Sequence, residues 1–103
     1  KYGFPPDAYA VLAYTAVDIL MQATEKAGSV EGKKVGEVLQ TATFNTVKGD
    51  ASFRKDHQLQ GKYLAFFVKG KAASAKKDKY DVFEVLGAYG GDKALPPLKK
   101  LGY

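Results

Sequence analysis

The sequence predicts an α/β chain in which two helices precede an antiparallel pair of strands. Three observations predict it. Polar residues recur at helical spacing between Ala8 and Ala27, a shorter helical pattern follows Ser29, and after Phe44 the period becomes that of extended chain. No strand–helix–strand alternation appears, so the sequence itself carries no sign of a parallel sheet.

The first helix has a clear start and stop. Pro5 and Pro6 hold the chain extended, and the Asp7 carboxylate can cap the first free N–H groups. Thr15, Asp18, Gln22 and Glu25 then form one narrow polar stripe. Val11, Leu12, Tyr14, Val17, Ile19, Leu20 and Met21 fill the rest of the circumference and must find cover. Gly28 supplies the left-handed residue that ends the helix.

Ser29 is the expected cap of a second helix over about Glu31 to Thr41. Val35, Val38, Leu39 and Ala42 give it one apolar face, while Gly32 and Gly36 each weaken it by about 1 kcal/mol relative to alanine. "TVKGDASF" reads as extended chain with a turn at Lys48-Gly49-Asp50, and "RKDHQLQG" as a polar connector. "KYLAFFVKG" and "KYDVFEVLGAY" are the two strands. The consecutive Phe66 and Phe67 suit a central strand with both faces covered. The lysine-rich stretch between the strands reads as a long mobile connection.

Composition limits the chemistry. There is no cysteine, hence no disulfide, thiolate zinc site or cysteine nucleophile. The lone histidine, His57, lies in the polar connector, and Asp56 beside it on extended chain points away from it. No phosphate-cradling glycine motif and no clustered carboxylates for a metal are present. No enzyme, cofactor or metal is therefore expected. No apolar run is long enough for a membrane-spanning helix. The chain begins at Lys1 and is expected to be a processed chain or a piece of something longer.

The formal net charge of +5 is unevenly spread: residues 1–53 carry −1 and residues 54–103 carry +6. Lys62, Tyr63, Phe66, Phe67, Lys69, Lys71, Lys76, Lys77, Lys79 and Tyr80 mix basic and aromatic groups across the hairpin. A small nucleic-acid-binding module is the alternative reading, since stacking and phosphate contact use such groups. It requires both kinds on one surface, whereas the lysines gather in the connection. Gel shifts over a salt series separate the readings, because phosphate binding is steeply salt-dependent.

Three stretches together, "AYAVLAYTAVDIL", "EKAGS" with its following helix, and "TFNTVKGDASF", resemble the C-terminal region of periplasmic solute-binding proteins of the branched-chain amino acid (Leu/Ile/Val-binding) type. "YGGDKALPPLKKLGY" looks like that family's extreme C-terminus, so the resemblance covers nearly the whole chain. "RKDHQLQG" stands where the family has an acidic turn of the D-x-x-G-D kind.

The resemblance implies part of a two-lobed type I periplasmic binding-protein fold. It further implies a receptor subunit of an ATP-driven (ABC) importer that binds an amino acid or a small aromatic or organic acid. Residues 1–50 would complete the first lobe, 51–61 would approach the hinge, and 62–103 would form the terminal strands and tail. Tyr9, with Asp7 beside it, would line the solute cleft. The partners so implied are the solute and a membrane permease, with no nucleic acid, and the location is the periplasm. A helix apolar on nearly all sides would then pack on a sheet from elsewhere in the protein. On its own, the chain is expected to form a homo-oligomer.

Overall fold

The computed structural model describes residues 2–103, apart from the side chain of Asp92. Helix α1 covers Ala8–Ala27, the span the sequence predicts. Asp7 caps it, its Oδ1 accepting from the Ala10 N–H at 2.7 Å, and Gly28 closes it at φ 59°. Helix α2 covers Gly32–Thr41. Its cap differs from expectation. Glu31 holds the N-cap position without a side-chain bond, while the Ser29 hydroxyl accepts from the Glu31 N–H at 3.1 Å. Ser29 thus shapes the turn before the helix rather than its first N–H groups.

Strands β1 (Thr43–Thr46), β2 (Gly49–Phe53) and β3 (Leu59–Gly61) form an antiparallel sheet in that order. The turn joining β1 to β2 is centred on Val47 and Lys48, because Thr46 pairs with Gly49. It falls one residue earlier than the sequence suggests. The Thr46 hydroxyl closes it, donating to the Gly49 carbonyl at 2.7 Å and accepting from the Lys48 N–H at 3.1 Å.

The supposed polar connector is more structured than expected. It contains β3, and it begins with Arg54, which is buried. Within it a tight turn forms: the Arg54 N–H donates to the Gln58 carbonyl, and the His57 N–H to the Arg54 carbonyl. His57 takes φ 63°, the left-handed conformation that favours glycine.

The core lies between the two helices and one face of this sheet. Ile19, Ala23, Val35 and Phe44 are buried there, with Val38, Leu39, Ala42, Phe53 and Leu59 packed around them. Alternation along the strands puts Phe44, Ala51 and Gly61 in one row facing the helices, and Thr43, Ser52 and Gln60 in a row on the other face.

Helix α1 meets this sheet through Thr15, Ile19 and Ala23, a face that borders its polar stripe. Thr15 is buried, its hydroxyl satisfied by the Val11 carbonyl at 2.8 Å. The Gln22 Nε2 donates to the Asn45 carbonyl at 2.7 Å. Tyr14, Val17, Leu20 and Met21 consequently point away and are exposed.

Strands β4 (Ala65–Gly70) and β5 (Phe83–Tyr89) pair antiparallel as a separate two-stranded sheet, with a register shift between Phe67 and Val68. Here the expected central strand is corrected. β5 is the only strand hydrogen-bonded to β4 among the described residues, and Phe66 and Phe67 stand 55% and 67% exposed on it.

The connection 71–82 is not loose either. Lys71 Nζ donates to both Asp81 oxygens at 2.8 and 3.0 Å, and the Lys77 N–H donates to the same carboxylate. Asp78 accepts from the N–H groups of Tyr80 and Asp81. The Lys71 ammonium, followed by the Lys77 N–H, holds the Asp81 carboxyl below its ordinary value. A depressed folded-state value means the carboxylate's contribution is complete above the ordinary pKa of about 3.9 and is lost as pH falls through the lower folded value. Protection of the Lys77 amide should therefore hold down to about pH 4 and collapse on further acidification. Asp81→Asn should abolish that acid step; an Asp81 carboxyl that titrates normally by NMR would contradict the assignment.

The whole is a slab of 53 × 39 × 17 Å with a radius of gyration of 17.1 Å, against about 13 Å for a compact chain of this length. Its accessible surface is 8135 Å², where a self-contained protein of this mass exposes roughly 5,700 Å². No helix among the described residues is long and apolar enough to cross a membrane.

Candidate functional site

The start of α1 is built by three sequence features. Pro5 and Pro6 deliver an extended chain, Asp7 turns it into the helix, and Tyr9 falls on the first turn. The Asp7 carboxylate folds inward to cap Ala10, while the Tyr9 ring projects outward with 83% of the residue exposed. Phe4, also exposed, adds a second aromatic ring just before the helix. An exposed aromatic face therefore sits beside the positive end of a helix dipole. With Asp7 already on the helix start, what the mouth offers a small molecule is an apolar, aromatic face. Tyr9 takes no part in the chain's own core.

The other residues weighed for chemistry are dispersed. His57 is exposed on its turn. Asp56 is turned away from it, accepting from Arg54 at 3.1 Å and from the Gln58 N–H at 3.3 Å. Among the described residues no three His, Asp or Glu side chains gather where a metal could sit. On the hairpin, Lys62 lies over the Tyr63 ring and Lys79 over the Tyr80 ring. Lys76 and Lys77 stay in the connection.

Sequence reasoning missed Arg54. It is 7% exposed, and its terminal nitrogen Nη2 donates to both Asp56 and the distant Pro96 carbonyl, the latter at 2.9 Å. No local pattern marks it: Arg54 meets Asp56 across a tight turn, and its other acceptor is 42 residues away.

Beside α1 runs an apolar groove of about 240 Å³ lined by Leu12, Thr15, Ile19, Phe53, Leu59 and Leu64 among others. Neither Tyr9 nor Asp7 lines it. It lies between α1 and the first sheet.

Residues 1–95 match the family described as periplasmic binding protein. Leu/Ile/Val-binding protein homolog 1 of Brucella abortus (strain 2308) is 37% identical over 71 residues, which cover 66% of this chain and 19% of that protein. The proteins of the same name from Brucella suis biovar 1 (strain 1330) and Brucella melitensis biotype 1 (strain ATCC 23456 / CCUG 17765 / NCTC 10094 / 16M) match to the same extent. The matched stretch thus spans about a fifth of the length of these curated relatives. With the family match running over residues 1–95, the chain belongs to the periplasmic binding protein family.

Proposed function

We propose that this chain is the C-terminal part of a periplasmic solute-binding protein that serves an ABC importer, binding without catalysis. Its solute is an amino acid or a small aromatic or organic acid, and its macromolecular partner is the importer's membrane permease. Residues 1–50 complete the first lobe, 51–61 lie near the hinge and 62–103 join the second lobe. Solute is held by closure of the lobes over it. Tyr9 forms one wall of the cleft, and Asp7 fixes the helix start beside it. The relatives' printed names, which specify leucine, isoleucine and valine binding, support the amino-acid class.

One observation carries this reading: the Tyr9 ring stands almost fully exposed at a capped helix N-terminus. An aromatic side chain left in water is unfavourable unless something packs on it. The test is titration calorimetry on the intact protein. Tyr9→Ala should weaken solute binding by about 1–3 kcal/mol, with the fold preserved because the ring supports no core contact. An unchanged affinity removes Tyr9 from the cleft.

A further inference from the structure

Arg54 is buried although guanidinium groups seldom are. Its Nη2 bonds the Asp56 carboxylate at 3.1 Å and the Pro96 carbonyl, 42 residues away, at 2.9 Å. Its Nε is buried with no acceptor. Burying a charge with one of its donors unsatisfied is costly, so packing alone does not account for Arg54.

What it joins is informative. Arg54 opens the β2–β3 turn, part of the first sheet, whereas Pro96 lies in the segment that continues from β5, part of the second. The two sheets share no strand pairing. A polar hollow of about 660 Å³ lies between them, lined on one side by Thr43, Ser52 and Gln60 and on the other by Ala88, Gly90 and Lys93. Three ties between the sheets stand out among the described residues. One is the Lys62–Leu64 chain itself. A second is Gly90, pressed so closely on the Lys62 carbonyl that a methyl group there would collide with it. The third is Arg54.

We propose that Arg54 is a positioning residue that sets the angle between the two sheets, clamping the segment after β5 to the β2–β3 turn. The Asp56 carboxylate keeps the guanidinium aimed, and the Pro96 carbonyl is the point it holds. Where the two sheets belong to different lobes, as in the function proposed above, this clamp limits how far the lobes swing. That consequence rests on that reading; the clamp itself does not.

The experiment uses this 103-residue chain without solute, so its outcome is independent of whether Tyr9 binds anything. Nitroxide labels are placed at exposed Lys33 on α2 and Glu84 on β5, with labelled chains diluted among unlabelled ones. Their distance distribution is measured by pulsed electron resonance, and hydrogen exchange is followed at the Lys100 and Tyr103 amides. Arg54→Met should broaden the distribution and speed exchange in the tail at least tenfold, while amides of α1, α2 and β1 keep their protection. The double variant Arg54→Met/Asp56→Asn, which leaves no buried unpaired carboxylate, should do the same and guards against misfolding. Arg54→Lys, with a single point of donation, should fail to restore the narrow distribution. An unchanged distribution in both Met variants would overturn the proposal. So would uniform loosening of the helices and both sheets together in the double variant, which would make Arg54 an ordinary structural residue.

Discussion

Sedimented at micromolar concentration, the isolated chain should run as a two-fold dimer and not as a monomer. The driving surface is the outward side of α1, where Tyr14, Val17, Leu20 and Met21 are all more than half exposed. Each large apolar side chain left in water forfeits about 1.5–3 kcal/mol. Several together rival the roughly 5–15 kcal/mol that holds a small domain folded. The area is sufficient. The chain exposes 8135 Å², roughly 2,400 Å² more than a self-contained protein of its mass, and one side of a standard interface needs only about 800 Å². A second copy presents the same helix face, and a two-fold axis lets both be covered at once. The unpaired edges of β4 and β5 offer a further route to association. A well-folded monomer that persists at this concentration would show that the exposed face tolerates water. The argument that α1 is shaped for a sheet elsewhere in the protein would then fail.

Local signals were read well from the residues, and pairings between distant segments poorly. Asp7 and Gly28 bracket α1 because a carboxylate cap and a left-handed glycine act through bonds within four residues. The apolar face of α2 was equally visible, since Val35, Val38, Leu39 and Ala42 need only helical spacing to align. Which side of α1 would be buried could not be read this way. An apolar majority argues for burying the large residues, yet the small sheet available accepts Thr15, Ile19 and Ala23. Periodicity shows that faces differ; it does not say which partner is present.

The connector over residues 54–61 was obscured for a related reason. β3 is three residues long, Leu59-Gln60-Gly61, too short to carry a hydrophobic alternation. Arg54 is buried by a bond to residue 96, a contact invisible to any local window. Likewise, Phe66 and Phe67 are consecutive and face opposite ways, a pattern that suits a strand covered on both faces. Burial of both needs neighbours that no described residue supplies. As for the site, the geometry of the helix mouth was legible because a cap and a first-turn residue are local features.

The second large effect belongs to Phe44. Thirteen aromatic residues occur in the chain, but Phe44 alone among the described side chains of large volume is fully buried. It stands on β1 where both helices converge, touching the cluster of Ile19, Ala23 and Val35. Phe53 packs edge-on against it at 6.5 Å, and the Lys26 ammonium lies 6.0 Å from its ring centre. Truncation to alanine removes that transfer energy and leaves a cavity that two helices and a sheet cannot easily close, a loss of about 3–5 kcal/mol. At roughly 4–8 °C per kcal/mol for a chain of this size, Phe44→Ala should lower the melting temperature by about 12 °C or more, or abolish cooperative unfolding. Phe4→Ala makes the informative control. The residue is chemically identical but 67% exposed, and surface substitutions of this kind stay within about 0.5 kcal/mol. Both variants are melted at one chain concentration, because association adds to apparent stability. If the two phenylalanines prove equally dispensable, the helices are not held by the Phe44 cluster, and the slab must owe its cohesion to backbone pairing alone.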